Sequence, residues 1–173
     1  METFESIRTV LAVREFQQKE LPNDVIQKII NAAHLTGSSM NAQPWQFILV
    51  KESRKLEELG SLVKSGPYIA SSALSVVVAV EKSSQYGISD GSRAIQSMIL
   101  AAWAEGVGSN WAGWSGMSHV AKFVGIPDEY DVIAVIPFGY PVRKIGFGNK
   151  SRKKISEVVH KEEFGNPYTE IDI

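Results

Sequence analysis

The 173 residues contain no cysteine, which excludes disulfides, thiolate metal sites, iron–sulfur clusters and cysteine nucleophiles together. Any redox chemistry must therefore belong to a bound cofactor. Charge of one sign is not in excess either, since 18 Lys and Arg stand against 19 Asp and Glu, a formal net charge of −1. No global basic field recommends nucleic acid or an anionic membrane as a partner, although a local phosphate site is compatible with this balance. The residues from Met1 to Val13 mix Glu2, Glu5 and Arg8 with apolar side chains and so lack the apolar core of a signal peptide. The longest apolar stretches, around Ala73 to Val80 and Val132 to Phe138, are too short to span a bilayer as helices. The chain is therefore read as cytoplasmic, with neither nucleic acid nor a membrane as partner.

Hydrolytic and nucleotide motifs are also lacking. There is no Gly-x-Ser-x-Gly elbow and no Walker-type Gly-Lys-Ser/Thr, and Gly106-Val107-Gly108 lacks the third glycine of a dinucleotide fingerprint. His34, His119 and His160 lie far apart with no carboxylate at ligand spacing, so they are read as core-edge or surface residues and no metal site is expected.

What is present describes one domain over residues 1–173, with 44% hydrophobic and 21% charged residues. Phe4, Ile7, Val10 and Leu11 recur at spacings of three and four, which predicts a helix over Thr3 to Val13 with one apolar face. A second helix starts near Pro22 and buries Val25, Ile26, Ile29, Ile30 and Ala33. Gln46 to Val50 reads as a strand and Arg54 to Val63 as a surface helix. Ala73 to Val80 is continuous and β-branched, as expected of a central strand covered on both faces. Asp90 to Glu105 has no breaker after Gly91 and is apolar around most of its circumference, which predicts a buried central helix. Ser109 to Trp111 is a candidate short strand, His119 to Val124 a short helix and Asp131 to Phe138 a further strand. Helices and strands in this order suggest an α+β sheet flanked by helices. Residues 140–173 differ in kind: a basic cluster of Arg143, Lys144, Lys150, Arg152, Lys153 and Lys154 precedes a sparse tail with Phe164, Tyr168 and Ile171. So few apolar residues cannot make a core, and this extension is expected to pack on another surface such as a second subunit.

Between the second helix and the first strand, Ser38-Ser39-Met40-Asn41-Ala42-Gln43-Pro44-Trp45 strings hydroxyl and amide side chains together. From composition alone this is a polar loop. The order Ser-Ser-Met-Asn-Ala-Gln-Pro-Trp, after two helices and before a strand, resembles the flavin-binding loop of the nitroreductase family. Val13-Arg14-Glu15-Phe16 is similar to that family's early Val-Arg-x-Phe. Asp90-Gly91, Gly106-Val107-Gly108-Ser109-Asn110-Trp111-Ala112-Gly113, Phe138-Gly139-Tyr140-Pro141 and Lys150-Ser151-Arg152 follow in the family's order. The resemblance covers nearly the whole chain.

It implies a central mixed, mainly antiparallel sheet flanked by helices, in an intertwined homodimer with FMN at the interface. NADH or NADPH would reduce the flavin at N5 and leave, and a flat acceptor such as a nitroaromatic or a quinone would then be reduced on the same face. No protein acid or base is obligatory in this scheme, so no catalytic residue is expected in the protein itself. Lys150 and Arg152 would hold the FMN phosphate as charge-assisted donors. Arg14 would lie by N1 and the C2 carbonyl, Ser38 and Ser39 by the phosphate or ribityl chain, and Asn41 and Gln43 by ring or ribityl polar atoms. Ala112 and Gly113 match the position that offers a backbone N–H to N5, while Trp45 and Trp111 are expected to be packing residues. Two departures stand out. Val10-Leu11-Ala12 replaces the family's arginine-containing stretch, removing a phosphate cation that Arg8 is poorly placed to replace, and Gly37 replaces a proline. The same loop would also suit a flavin carrier or sensor without turnover, or a specialised flavin enzyme such as a reductive dehalogenase. A family-shaped interaction module that has lost FMN would fit the missing arginine.

Overall fold

The computed structural model describes residues 1–113, 116–143 and 150–169; Lys144 and Ile171, counted above in the basic cluster and tail, lie outside them. Five helices, α1 (Thr3–Thr9), α2 (Asn23–His34), α3 (Ser53–Leu62), α4 (Gly87–Ala104) and α5 (Met117–Phe123), accompany four strands, β1 (Trp45–Val50), β2 (Leu74–Glu81), β3 (Gly108–Ser109) and β4 (Tyr130–Gly139). The strands form one sheet in the order β1-β2-β4-β3, antiparallel at every pairing. A parallel bridge between Ala12 and Ser109 extends it past β3 and makes the assembly mixed, as expected.

β2 explains the layering. Its side chains alternate between faces with period two. Leu74, Val76 and Val78 enter a core with α2 and α4, including Ile29, Ile95 and Met98. Val77 and Ala79 enter a second core with Leu56 and Leu59 of α3 and Val120 of α5. The continuous apolar run is thus a strand buried on both faces, and the α+β sheet flanked by helices follows from it.

Two helices differ from their sequence patterns. α1 stops at Thr9, because from there the backbone is drawn to the sheet edge: Val13 N donates to Ser109 O at 2.8 Å. Its buried face is Ser6 and Thr9, while the apolar stripe residues Phe4 (70% exposed) and Ile7 (48% exposed) face outward. α4 begins a turn earlier than expected, at Gly87, and is not buried all round. Gly91, Ala94, Ile95, Met98 and Ala102 form one buried stripe, and much of the remaining surface is only half-covered. Among the described residues, no helix is long and apolar enough to cross a membrane.

Candidate functional site

The polar loop after α2 is held in an improbable shape. Met40, Asn41 and Gln43 have φ of 51°, 55° and 50°. Asn tolerates this left-handed region, but a Met or Gln there costs about 1–3 kcal/mol and persists only where surrounding contacts impose it. The contacts are visible. Gln43 N donates to Ser38 Oγ at 2.9 Å, Gln43 Nε2 to Asn41 O at 3.1 Å, and Ser39 N to Asp90 Oδ2 at 3.0 Å. The Ser39 hydroxyl donates to Asp90 Oδ1 at 3.2 Å. Asp90 is fully buried in the first turn of α4, where a carboxylate complements the helix dipole, and Arg93 one turn later donates to it. Pro44 and Trp45 are buried behind the loop, so Trp45 is the packing residue expected. Asn41 and Gln43 are exposed and Ser38 and Ser39 half-buried. Asp90 and Arg93 were not among the sequence candidates; Asp90-Gly91 was part of the family resemblance, but 51 positions separate Ser39 from Asp90 and nothing along the chain joins them.

The cationic residues gather elsewhere. Val13 and Phe16 are 4% and 5% exposed, while Arg14 and Glu15 between them are exposed. Val13 packs on Gly108 and Phe16 on Gly139 so closely that a Cβ on either glycine would collide with them. Backbone bonds from Gln17 N to Tyr140 O (2.8 Å) and Val142 N to Glu15 O (3.1 Å) complete the attachment. The Val-Arg-x-Phe pattern is therefore a two-anchor clip that presents Arg14 at the rim of a cleft of about 280 Å³, lined by Ala12, Val13, Arg14, Glu15, Pro141 and Arg143. Lys150 Nζ donates to the Ile7 carbonyl in the last turn of α1. Partial burial, with the nearby Arg152 charge as a lesser cause, holds Lys150 below the ordinary lysine pKa. Two cations drawn together in this way suit an anion. Arg8 is engaged in a two-point pair with Glu5, at 3.0 and 2.8 Å.

Of the two candidate N5 donors, Ala112 spends its N–H on Val135 O at 3.0 Å, whereas Gly113 N–H has no hydrogen-bond partner among the described residues. A Cβ at Gly113 would stand 2.8 Å from Ile133 O and 2.9 Å from Trp111 Nε1, so the position admits only glycine without backbone movement. Trp111 is 43% exposed beside that amide; the expectation of a packing role fails because its neighbour Ala112, not its indole, faces the core.

The structure does not bring all nine candidates together. The Ser38–Gln43 loop is bonded to Asp90, while α1, to which Lys150 is bonded, joins α4 through Trp103 Nε1 and Thr9 Oγ1 at 2.9 Å. Asp90 and Trp103 are thirteen positions apart on a helix rising ~1.5 Å per residue, about 20 Å. Within one chain the serine loop and the Lys150 segment are thus tied to opposite ends of α4.

The chain is similar to several known proteins. A "Putative NADH dehydrogenase/NAD(P)H nitroreductase" of Methanothermobacter thermautotrophicus is 29% identical over 154 residues, covering 84% of this chain and 81% of that protein. The crystal structure bearing the same description from Parabacteroides distasonis superposes with a TM-score of 0.85 at 27% identity, over 94% of this chain and 98% of that one. An FMN-dependent nitroreductase from Clostridium difficile shares the fold with a TM-score of 0.86 at 24% identity, over 93% of this chain and 99% of that one. A family model described as "Putative TM nitroreductase" matches residues 2–169. Because that match takes in both ends of α4, the serine loop and the basic corner alike, the chain belongs to this nitroreductase family.

Proposed function

We propose that the protein is an FMN-dependent oxidoreductase that passes electrons from NADH or NADPH to a flat organic acceptor such as a nitroaromatic or a quinone, and that it works as a homodimer. The observation that carries this reading is the separation of the serine loop from the Lys150 segment. Ser38–Ser39 and Lys150–Arg152 are both suited to the same phosphate, yet Ser39 is bonded to Asp90 in the first turn of α4, whereas Lys150 is bonded to α1, which joins α4 at Trp103, about 20 Å further along the helix axis. Two copies of the chain resolve the conflict if each flavin lies between one subunit's loop and the other subunit's basic corner. Exposed Phe4 and Ile7 on α1, and Ile155, Val158 and Phe164 in residues 150–169, supply apolar surface for such an interface. The extension 140–173 is accordingly assigned to packing on the second subunit.

The residues fit FMN at each of its chemically distinct parts. Lys150 and Arg152 offer charge to the dianionic phosphate, and Ser38, Ser39, Asn41 and Gln43 offer hydroxyls and amides to the ribityl chain and ring edge. Arg14, clipped at the cleft rim, places positive charge where a reduced ring carries negative charge. Gly113 presents an N–H with no partner among the described residues and no side chain to hold a planar ring away. When bound, FMN supplies hydride acceptance and donation at N5; the protein's part is positioning and electrostatic tuning. The names of the relatives at 27% and 29% identity, which include NAD(P)H nitroreductase, support the donor and the reaction type.

An absorption spectrum of the purified protein, before and after anaerobic NADH or NADPH, tests cofactor and electron entry together. A yellow spectrum that bleaches is expected. Protein that gains no flavin spectrum on addition of FMN would sink the reading, and a flavin that fails to bleach would favour a carrier. Light scattering should return the mass of two chains.

A further inference from the structure

Among the described residues, the most deeply buried ionisable group, Asp90, has no part in the scheme above. Asp90 is fully buried, and carboxylates are seldom buried without partners that repay the lost hydration. Its partners are informative. One carboxylate oxygen receives the Ser39 backbone N–H and the other the Ser39 hydroxyl, so a single residue of the proposed flavin loop is held at two points. Arg93, half-exposed on the next turn of α4, donates to the same carboxylate and approaches the Ser39 hydroxyl at 3.4 Å. The loop so held contains Met40 and Gln43 with positive φ, conformations these residues rarely adopt unaided. Exposed Met40 (88%) gains no packing in return. The strain therefore has to be balanced by the fixing of Ser39 from below and by the Gln43 N to Ser38 Oγ bond across the loop's mouth.

We infer that Asp90 is a positioning residue of the flavin site. Its buried carboxylate, paired with Arg93, locks Ser39 and thereby presents Ser38, Asn41 and Gln43 in the arrangement that receives the flavin. The inference rests on the function proposed above but makes a separate demand: the loop is preorganised before any ligand arrives, and its shape is set from the N-terminal turn of α4. It also explains why Asp90-Gly91 stands in the chain at the helix's start. Gly91 lets α4 approach the sheet, a Cβ there meeting Val80 at 2.9 Å, which carries Asp90 out of solvent.

The test compares wild-type protein with D90N, D90A and the double variant D90N/M40G, using FMN titration and amide hydrogen exchange on the ligand-free protein. D90N keeps the shape of Asp90 but offers one good acceptor where two are needed. FMN affinity should fall at least tenfold in D90N and further in D90A, and exchange at residues 39–43 should quicken while the amides of β2 and β4 stay protected. Glycine at position 40 relieves the left-handed strain. D90N/M40G should therefore recover at least threefold of the lost affinity, which a variant that merely weakened the whole fold would not. If D90N binds FMN as wild type does and its loop exchanges no faster, the inference fails. It fails equally if β2 and β4 lose protection along with the loop and M40G rescues nothing. Wild-type protein that binds no FMN overturns the function proposed above instead, and the ligand-free exchange data still decide whether Asp90 holds the loop.

Discussion

The two ends of α4 solve the same problem differently. At its N-terminal turn a short loop is strained, bonded to itself and to a buried carboxylate, and presents small polar groups. Toward its C-terminal end the candidate ligands are long cations, exposed or half-exposed, with Arg14 on a segment clipped to the sheet edge and Lys150 bonded to α1. Rigid presentation suits a planar edge, whose hydrogen-bonding pattern is fixed in space. Flexible cations suit a phosphate, which is satisfied by charge from many directions. Under the function proposed above, neither end is a site alone, since the residues suited to one phosphate are divided between them.

The largest effect should come from separating the subunits. In F4E, an outward apolar side chain of α1 becomes charged, while Ile7, whose carbonyl accepts from Lys150, is left in place. The variant is expected to run as a monomer in light scattering and to bind FMN at least about 100-fold more weakly, because half of the ligands are withdrawn and charge-assisted hydrogen bonds contribute roughly 1.5–3 kcal/mol each. A monomeric variant with undiminished FMN affinity would break the division into half-sites. Next in size, R152A removes one phosphate cation, and its FMN dissociation constant should rise on the order of tenfold to a hundredfold in a fluorescence titration, with a weaker salt dependence than wild type.

G113A should separate holding from positioning. Its Cβ would press on Ile133 O, so the amide must move. Reduction by NAD(P)H in stopped flow is expected to slow on the order of tenfold, with FMN affinity changed much less. The smallest effect is one of pH. Burial, and then Arg152, lower the Lys150 pKa from 10.5, so Lys150 loses its proton at a lower pH than an ordinary lysine. FMN phosphate favours the charged form, so affinity should weaken as pH rises through that lowered pKa, and binding there should take up a proton. K150R, whose guanidinium stays charged, should remove this alkaline loss in titrations across the range.

Much of this was legible along the chain where the signal is local. β2 announces itself by an unbroken β-branched run, α2 by its 3–4 spacing, and the loop by Ser38 to Gln43 in sequence. The α1 pattern misled because periodicity records which residues are apolar but not what covers them. Val13 belongs to the sheet edge through a bond to Ser109, nearly a hundred positions away, and Phe4 and Ile7 face outward. Trp111 misled for the same reason. The choice between Ala112 and Gly113 depended on a bond to Val135, which no spacing rule contains.

Residue order alone therefore determined most of the elements, the α+β layering and the chemical kinds of group available: a polar loop, an arginine, a basic pair and a glycine amide. These depend on periodicity, turn chemistry and side-chain type, which are properties of neighbours in the chain. Tertiary structure decided which of those groups meet. It buried Asp90 beneath Ser39, bonded the Ala112 N–H to Val135 but not that of Gly113 among the described residues, and tied the loop and Lys150 to opposite ends of an 18-residue helix. Meeting is set by long-range packing of α4 on the sheet, and that is why a motif contiguous in function is divided in space.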